Sequence, residues 1–275
     1  LAKERSMKDQ EVIGLLPAAG QGTRISPLPV SKELYPIGFR LVEPDHSLRT
    51  KVVCHYLLEK MHFAGISKAY MVLRSGKWDI PNYFQDGAIL NMDLGYLMMR
   101  LPFGVPYTLD QAYPFVRGAL IAVGFPDIIC QPDYIFVNLL TRLRASNSEV
   151  VLGLFPTDHP QKVGVVDFDA DGRVYQIIEK PSQTDLRYMW GVAVWTPVFT
   201  DFMHEYLAIR ETQKLQSDSK NNPKLQQELP LGDVVQAAID AGLPVEAEVF
   251  ADGEYLDIGT PEDLVRAVRN FANHP

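Results

Sequence analysis

Apolar residues fall in short blocks along the first half of the chain, and the blocks alternate between two periods. Val12–Leu16, Ala69–Leu73 and Leu120–Val123 are brief unbroken runs, the pattern of strands buried on both faces. Val52–Phe63 and Tyr134–Leu143 are helix-like instead. In the first of these, Val53, Tyr56, Leu57 and Met61 recur at near-helical spacing before Gly65 stops the segment. Strands alternating with helices imply a mainly parallel sheet with crossover helices, in one α/β domain.

The second half has a different rhythm. Val150–Phe155, Val163–Phe168, Val174–Ile178 and Met189–Trp195 read as strands with little helix between them, which implies antiparallel pairing. Asp169-Ala170-Asp171-Gly172 predicts a hairpin turn, because Asp and Gly tolerate the backbone angles it needs. From Glu211 to Glu228 the residues are polar, which predicts a mobile loop. Near the end, Glu254–Gly259 predicts a strand that turns sharply at glycine. Thr260-Pro261-Glu262-Asp263 then opens a helix with a hydroxyl cap, an early proline and two acids suited to the helix dipole. Its apolar face is read as Leu264, Val265, Val268 and Phe271. No internal repeat is present.

Composition narrows the function classes. The 275 residues, 47% of them hydrophobic, suffice for one substantial core. A formal net charge of −8 lacks the basic footprint of a nucleic-acid binder, so small ligands are the expected partners. No apolar run approaches the roughly 18 residues of a membrane span, and the charged N-terminus is unlike a signal peptide. A cytoplasmic location is the default expectation. Met7 is read as the natural start, residues 1–7 as an added or disordered leader, and 8–275 as the domain. Cys54 and Cys130 form no CxxC pair and read as core thiols, and the six scattered histidines suggest no metal site.

One stretch carries chemistry of its own. Gly14-Leu15-Leu16-Pro17-Ala18-Ala19-Gly20-Gln21-Gly22-Thr23-Arg24 takes a strand into a loop of small residues, and Ser31-Lys32-Glu33-Leu34-Tyr35-Pro36 follows. Small side chains let backbone N–H groups approach a polyphosphate, while Arg24 and Lys32 supply positive charge. The dinucleotide fingerprint GxGxxG fails at Ile25, and the phosphate loop GxxxxGK[ST] fails because Thr23 follows Gly22. A plain turn would account for a lone Gly-x-Gly; the added cations favour a phosphate site.

The segment Gly14–Pro36 resembles the signature of the sugar-1-phosphate nucleotidylyltransferases, the glucose-1-phosphate thymidylyltransferase type in particular. Phe125-Pro126-Asp127 resembles that family's metal-binding aspartate site, Glu179-Lys180-Pro181 its sugar-phosphate motif, and Tyr255–Leu264 its Asp-x-Gly-Thr-Pro-Glu-Asp segment. The four motifs stand in the family's order and span most of the chain. The resemblance implies a Rossmann-like nucleotidyltransferase fold, a mixed, mainly parallel twisted sheet flanked by helices with an antiparallel sugar-binding portion.

It also implies roles. Ala19, Gly20, Gly22, Thr23, Arg24 and Thr108 would bind the nucleotide. Gly164, Glu179, Lys180 and Met189 would bind the sugar phosphate, Met189 from a strand that continues through Trp190 and Gly191. Asp127 and Asp257, each expected at a strand's C-terminal end, would hold Mg²⁺ with phosphate oxygens. Arg24, Lys32, Asp127 and Lys180 would form the catalytic set. The implied partners are a nucleoside triphosphate, dTTP or UTP favoured, and a sugar 1-phosphate, in a protein that could self-assemble. Thr108 stands where the family has a base-approaching glycine, and Asp110 where alanine is usual, so base choice does not transfer. A cytidylyltransferase for another phosphorylated or phosphonylated acceptor, and a non-catalytic binding relative, remain open alternatives.

Overall fold

The structure is a computed structural model that describes residues 10–42, 44, 46–99, 103–216 and 227–271. Residues 1–7, set aside above as a leader, lie outside the described residues.

Four parallel strands form one half of the main sheet: β1 (Val12–Pro17), β4 (Lys68–Arg74), β5 (Asp93–Met99) and β6 (Leu120–Val123), in the order β6-β1-β4-β5. Strand β11 (Tyr188–Trp195) joins this half antiparallel to β6. Its other edge pairs antiparallel with β8 (Val150–Pro156). Beside it, β9 (Gly164–Phe168) and β10 (Val174–Glu179) make the expected hairpin, closed by Gly172 N–H donating to the Asp169 carbonyl. The sheet is completed by β12 (Val245–Val249), which runs parallel to β8. The parallel first half and largely antiparallel second half match the two rhythms of the sequence.

Helices cover both faces, which is why the central strands are apolar on successive residues rather than alternate ones. On one face, Ile13, Leu15, Ile121 and Val123 pack with α3 (Val105–Asp110), α6 (Pro197–Gln216) and α7 (Leu231–Asp240) through Leu109, Phe199, Met203 and Val234. On the other, Leu16, Met71, Leu120 and Ala122 meet α1 (Val53–Phe63) and α5 (Ile135–Ala145) through Leu57, Met61, Phe136 and Leu140. The remaining short helices are α2 (Asp79–Phe84) and α4 (Tyr113–Val116).

Two antiparallel ribbons stand off the sheet, β2 (Pro36–Val42) with β3 (Ser47–Val52), and β7 (Ile128–Gln131) with β13 (Glu254–Asp257). The β7–β13 ribbon packs Ile129, Leu256 and Ile258 against α1 and the last helix, α8 (Pro261–Phe271). This third cluster joins the C-terminal segment to the mouth of the sheet, bringing Asp257 towards Asp127.

Two expectations need correction. Residues 211–216 belong to α6, because Glu, Gln, Lys and Leu favour helix and Lys214 pairs with Glu211 at 3.0 Å. Residues 217–226 of that polar stretch lie outside the described residues, and Gln227 and Glu228 follow them without regular structure. On α8 the packed face is Leu264, Ala267 and Phe271, whereas Val265 and Val268 are exposed. At about 100° per residue, Val265 points well away from the line joining the other three.

A buried histidine gives the fold an acid-sensitive point. His55 Nδ1 accepts the Val52 N–H at 3.1 Å, and its ring meets Tyr83 and Phe84 edge-on. Burial first, then the charges of Arg40 and Lys51, lower its pKa from 6.5 to about 3. The unfolded chain therefore takes up a proton near pH 6.5 that the native state refuses. Stability should fall as pH drops from there towards 3, by up to about 1.4 kcal/mol per pH unit. In His55→Gln, melting temperature should depend less on pH between 7 and 4; parallel wild-type and variant curves would contradict this.

Candidate active site

The phosphate-loop candidate leaves the C-terminal end of β1, at the edge where an open α/β sheet presents its ligand crevice. Ala18 N–H donates to the Val72 carbonyl at 2.8 Å, anchoring the loop's first turn to β4. Gly22 has φ +64°, a left-handed angle that an L side chain would strain. Gly20, Gly22, Thr23, Arg24 and Lys32 line one wall of a cleft of about 800 Å³. That volume lies within the roughly 300–1,000 Å³ range of small-molecule sites. Gln21, Phe103, Lys214, Gln227, Glu228 and Gly259 complete the lining. Ala19 is buried behind the loop.

Four charged residues distant in sequence meet here. Lys32 forms an ion pair with Asp127, and Arg24 Nη2 donates to Asp257 Oδ2 at 3.2 Å. Asp257 ends β13 as expected. Asp127 does not end a strand: it lies in the turn beyond β6, one residue before β7, because Gly124-Phe125-Pro126 carries the chain out of the sheet. Ile258 N–H donates to the Asp127 carbonyl at 3.2 Å, which locks the two acidic segments side by side. Gly259 N–H donates to Asp257 Oδ1 at 2.7 Å. A Cβ at Gly259 would lie 2.5 Å from Arg24 Nη2, so the guanidinium requires the space that glycine leaves.

The electrostatics follow from this crowding. Burial opposes the Lys32 charge, but Asp127, then Glu33 and Asp257, outweigh it and hold the ammonium pKa above its ordinary value. Asp257 is pushed up, first by burial and then by Asp127; the Gly259 N–H, Lys32 and Arg24 act in the opposite direction. Two cations that line the cleft are thus backed by two carboxylates that repel each other.

A second group forms around Glu179, at the end of β10. Its carboxylate bonds to the Trp190 indole; burial and the Asp233 charge raise its pKa, and the indole bond lowers it. A Cβ at Gly164 would lie 2.6 Å from Glu179 Oε1 and 2.8 Å from Trp190 Nε1, so a side chain there would displace the carboxylate and the indole. Lys180 follows with φ +47° and its N–H bonded to the Val163 carbonyl at 3.0 Å, an unusual left-handed angle for lysine. The two groups are linked by Phe125, two residues before Asp127, whose ring lies 6.2 Å from that of Trp190.

Two expected site side chains are placed elsewhere. Met189 packs its side chain into the apolar core, and Trp190, on the opposite face of the same strand, reaches Glu179. Thr108 is buried in α3 with its hydroxyl bonded to the Gly104 carbonyl at 3.2 Å, and Asp110 bonds to His204 at 2.9 Å. Sequence reasoning missed Phe103, Lys214, Gln227 and Glu228. Lys214 lies over the rings of Tyr107 and Phe103, 4.8 and 5.4 Å from their centroids, as part of the cleft's far wall. A separate cavity of about 870 Å³, lined by Lys51, Lys60, Asp133 and Phe271 among others, shares no residue with the cleft.

Known proteins resemble this chain in sequence and in fold. The chain is 26% identical over 259 residues to the low-salt glycan biosynthesis nucleotidyltransferase of Haloferax volcanii, covering 92% of this chain and 64% of that protein. It is 25% identical over 265 residues to a glucose-1-phosphate thymidylyltransferase of Streptomyces antibioticus, with 93% and 65% covered. It is 22% identical to the bifunctional protein GlmU of Methanococcus maripaludis, with 93% and 53% covered. The chain therefore spans between about half and two thirds of the length of these relatives. Two solved structures share the fold at 18% identity. One, from Bacillus anthracis and named for glucose-1-phosphate thymidylyltransferase, has a TM-score of 0.77 with 96% of each chain covered. The other, a UDP-glucose pyrophosphorylase complexed with UDP-glucose, has a TM-score of 0.74, covering 95% of this chain and 98% of that one. The nucleotidyl transferase family model matches residues 13–274, and the chain belongs to that family.

Proposed function

We propose that the protein transfers a nucleotidyl group from a nucleoside triphosphate, dTTP or UTP by preference, to a sugar 1-phosphate with release of pyrophosphate. The observation that carries this reading is that Arg24 and Lys32, which line the cleft beside the Gly20–Thr23 loop, are paired with Asp257 and Asp127. An oxygen of the acceptor phosphate attacks the α-phosphorus, the bond to the α,β-bridging oxygen breaks, and the electron pair leaves on pyrophosphate. The acceptor oxygen is already anionic near neutral pH, so no side chain need remove a proton. Positioning and charge screening supply the catalysis.

The loop's backbone N–H groups cradle the phosphates, and Arg24 and Lys32 stabilise charge growing on the departing pyrophosphate. Glu179, held by Trp190, accepts hydrogen bonds from sugar hydroxyls, and Lys180 holds the acceptor phosphate. Asp127 and Asp257 fit a divalent cation such as Mg²⁺: two repelling carboxylates beside a polyphosphate need more positive charge than two side-chain cations provide. The bound cation would neutralise phosphate charge at that place. Among the described residues no helix is long and apolar enough to cross a membrane.

Pyrophosphate release with dTTP, UTP, CTP, ATP and GTP, each against a panel of sugar 1-phosphates with Mg²⁺, tests the reading. Turnover is expected with dTTP or UTP and a hexose 1-phosphate. Turnover confined to CTP would move the assignment to cytidylyl transfer, and binding without turnover across the panel would refute the enzyme.

The backbone at Lys180 offers a sharper check. Lys180→Gly removes the charge but relieves a left-handed angle that costs on the order of 1 kcal/mol. The variant should melt no lower than wild type while KM for the sugar phosphate rises about tenfold or more, since a charged contact is worth roughly 1.5–3 kcal/mol. A lower melting temperature with unchanged KM would make Lys180 a structural residue.

A further inference from the structure

Lys32 is carried by a short 3-10 turn, Lys32–Leu34, that follows a long stretch without regular structure. The turn's own backbone bonds are few: Leu34 N–H to the Ser31 carbonyl at 2.8 Å and Tyr35 N–H to the Lys32 carbonyl at 3.0 Å. A catalytic side chain needs firmer support than so short a turn supplies.

Helix α1 holds the turn's end, through Val53 N–H to the Tyr35 carbonyl at 3.1 Å and the packing of Leu34, and a second segment grips the residues that flank Lys32. Asp79 accepts two hydrogen bonds from Ser31, Oδ2 from the backbone N–H at 2.6 Å and Oδ1 from the hydroxyl at 2.7 Å. Two residues before Asp79, Lys77 forms an ion pair with Glu33 in the protein interior, where the two residues are 5% and 1% exposed. The residues on either side of Lys32 are therefore gripped by Lys77 and Asp79, and the Lys32 side chain runs past Gly22 to Asp127. A Cβ at Gly22 would lie 3.7 Å from Lys32 Cδ.

The gripping segment stands just beyond the C-terminal end of β4, which pairs with β1 from Ile13 to Pro17. Lys32 is thus referenced to the same two strands that carry the phosphate loop. Stability alone explains the arrangement poorly. A buried ion pair gains little over an apolar pair of the same size, and Glu33 Oε2 is buried without a hydrogen-bond partner among the described residues.

We propose that Lys77 and Asp79 are positioning residues: by clamping Glu33 and Ser31 from one side they fix the direction in which Lys32 enters the cleft. The claim rests on the reading that Lys32 serves the departing pyrophosphate, and it is tested in a way that separates the two.

The first experiment needs no turnover. Wild type, Asp79→Asn, Ser31→Ala and Lys77→Met are treated briefly with an acetylating N-hydroxysuccinimide ester, and each lysine's labelling rate is read by mass spectrometry. An amide at position 79 can accept the Ser31 N–H and donate to the Ser31 hydroxyl in turn, so the contact keeps its partners but loses the carboxylate charge that strengthens both bonds. Lys32 should label about fivefold faster in the folded variants, with other surface lysines unchanged, because opening a held contact exposes its amine. Unchanged Lys32 labelling in Asp79→Asn and Ser31→Ala would overturn the proposal.

The second experiment is a double-mutant cycle on pyrophosphate release. Asp79→Asn should lower kcat about 10- to 100-fold with little change in either KM, the loss expected for a displaced catalytic group. Added to Lys32→Ala, it should change kcat less than about twofold, because the group it positions is already gone. An equal fold-loss in both backgrounds would show a general structural role and overturn the proposal. If wild type shows no turnover, the functional reading falls, and the labelling rates alone decide whether the clamp exists.

Discussion

Asp127→Asn is expected to lower pyrophosphate release about 10³-fold or more while leaving the protein folded. The substitution keeps the side chain's shape, and the backbone carbonyl that receives the Ile258 N–H is untouched, so the β7–β13 ribbon stays joined to the turn after β6. What disappears is a charge at a place where three other charges converge. Lys32 loses its partner, and the pair of carboxylates proposed to hold a divalent cation is broken. A loss of 10³ corresponds to about 4 kcal/mol of transition-state stabilisation, a reasonable cost for removing a buried charged group such as Asp127. Thermal stability should change far less. The unpaired Lys32 disfavours the native state, but repulsion with Asp257 is removed, and the two effects oppose each other. Asp257→Asn should behave similarly, because it frees Arg24 and weakens the Gly259 N–H bond. Rates measured over a Mg²⁺ titration check both variants: wild-type turnover at saturating Mg²⁺ would take that residue out of the metal site.

These residues were legible in the sequence because each belongs to a compact motif, and the strands were legible for a different reason. Strands β1, β4, β6, β8 and β11 are covered on both faces and therefore read as unbroken apolar runs. The β2–β3 ribbon was not seen, since it stands off the sheet with Phe39, Leu41 and Leu48 exposed and no strong alternation. Strand β12 was not seen either. It is short and half polar, and its place beside β8 depends on a pairing between segments far apart in the chain.

The same limit governs the site. Gly20–Arg24 announces itself, whereas Lys214 and Glu228 reach the cleft from the α6–α7 region without any local mark. Period-two alternation shows that Met189 and Trp190 face opposite ways but not which of them faces Glu179. That choice is made by β9, whose Gly164 leaves the room in which the carboxylate and the indole meet. On α8 the helix is legible but its packed face is not, because its two exposed valines are as apolar as the residues that pack.

Arg24→Ala separates catalysis from structure most clearly, because its side chain is 63% exposed and yet aimed at the centre of the charged cluster. An ion pair so open to water contributes at most about 1 kcal/mol, or roughly 2–4 °C of melting temperature in a domain of this size. The Gly259 space that the guanidinium fills would simply be taken by solvent. If Arg24 meets charge growing on pyrophosphate, its loss should instead lower kcat by about 10³-fold, as removal of a cation from a phosphoryl-transfer site does. Arg24→Lys should recover only part of this, since it restores the charge but not the planar fork that can hold an Asp257 oxygen and a phosphate oxygen together. Melting curves and steady-state rates of the three proteins decide the matter. A large fall in melting temperature with normal kinetics would make Arg24 a strut between the phosphate loop and the C-terminal segment. A thousandfold slower enzyme that melts with wild type would make it part of the chemistry.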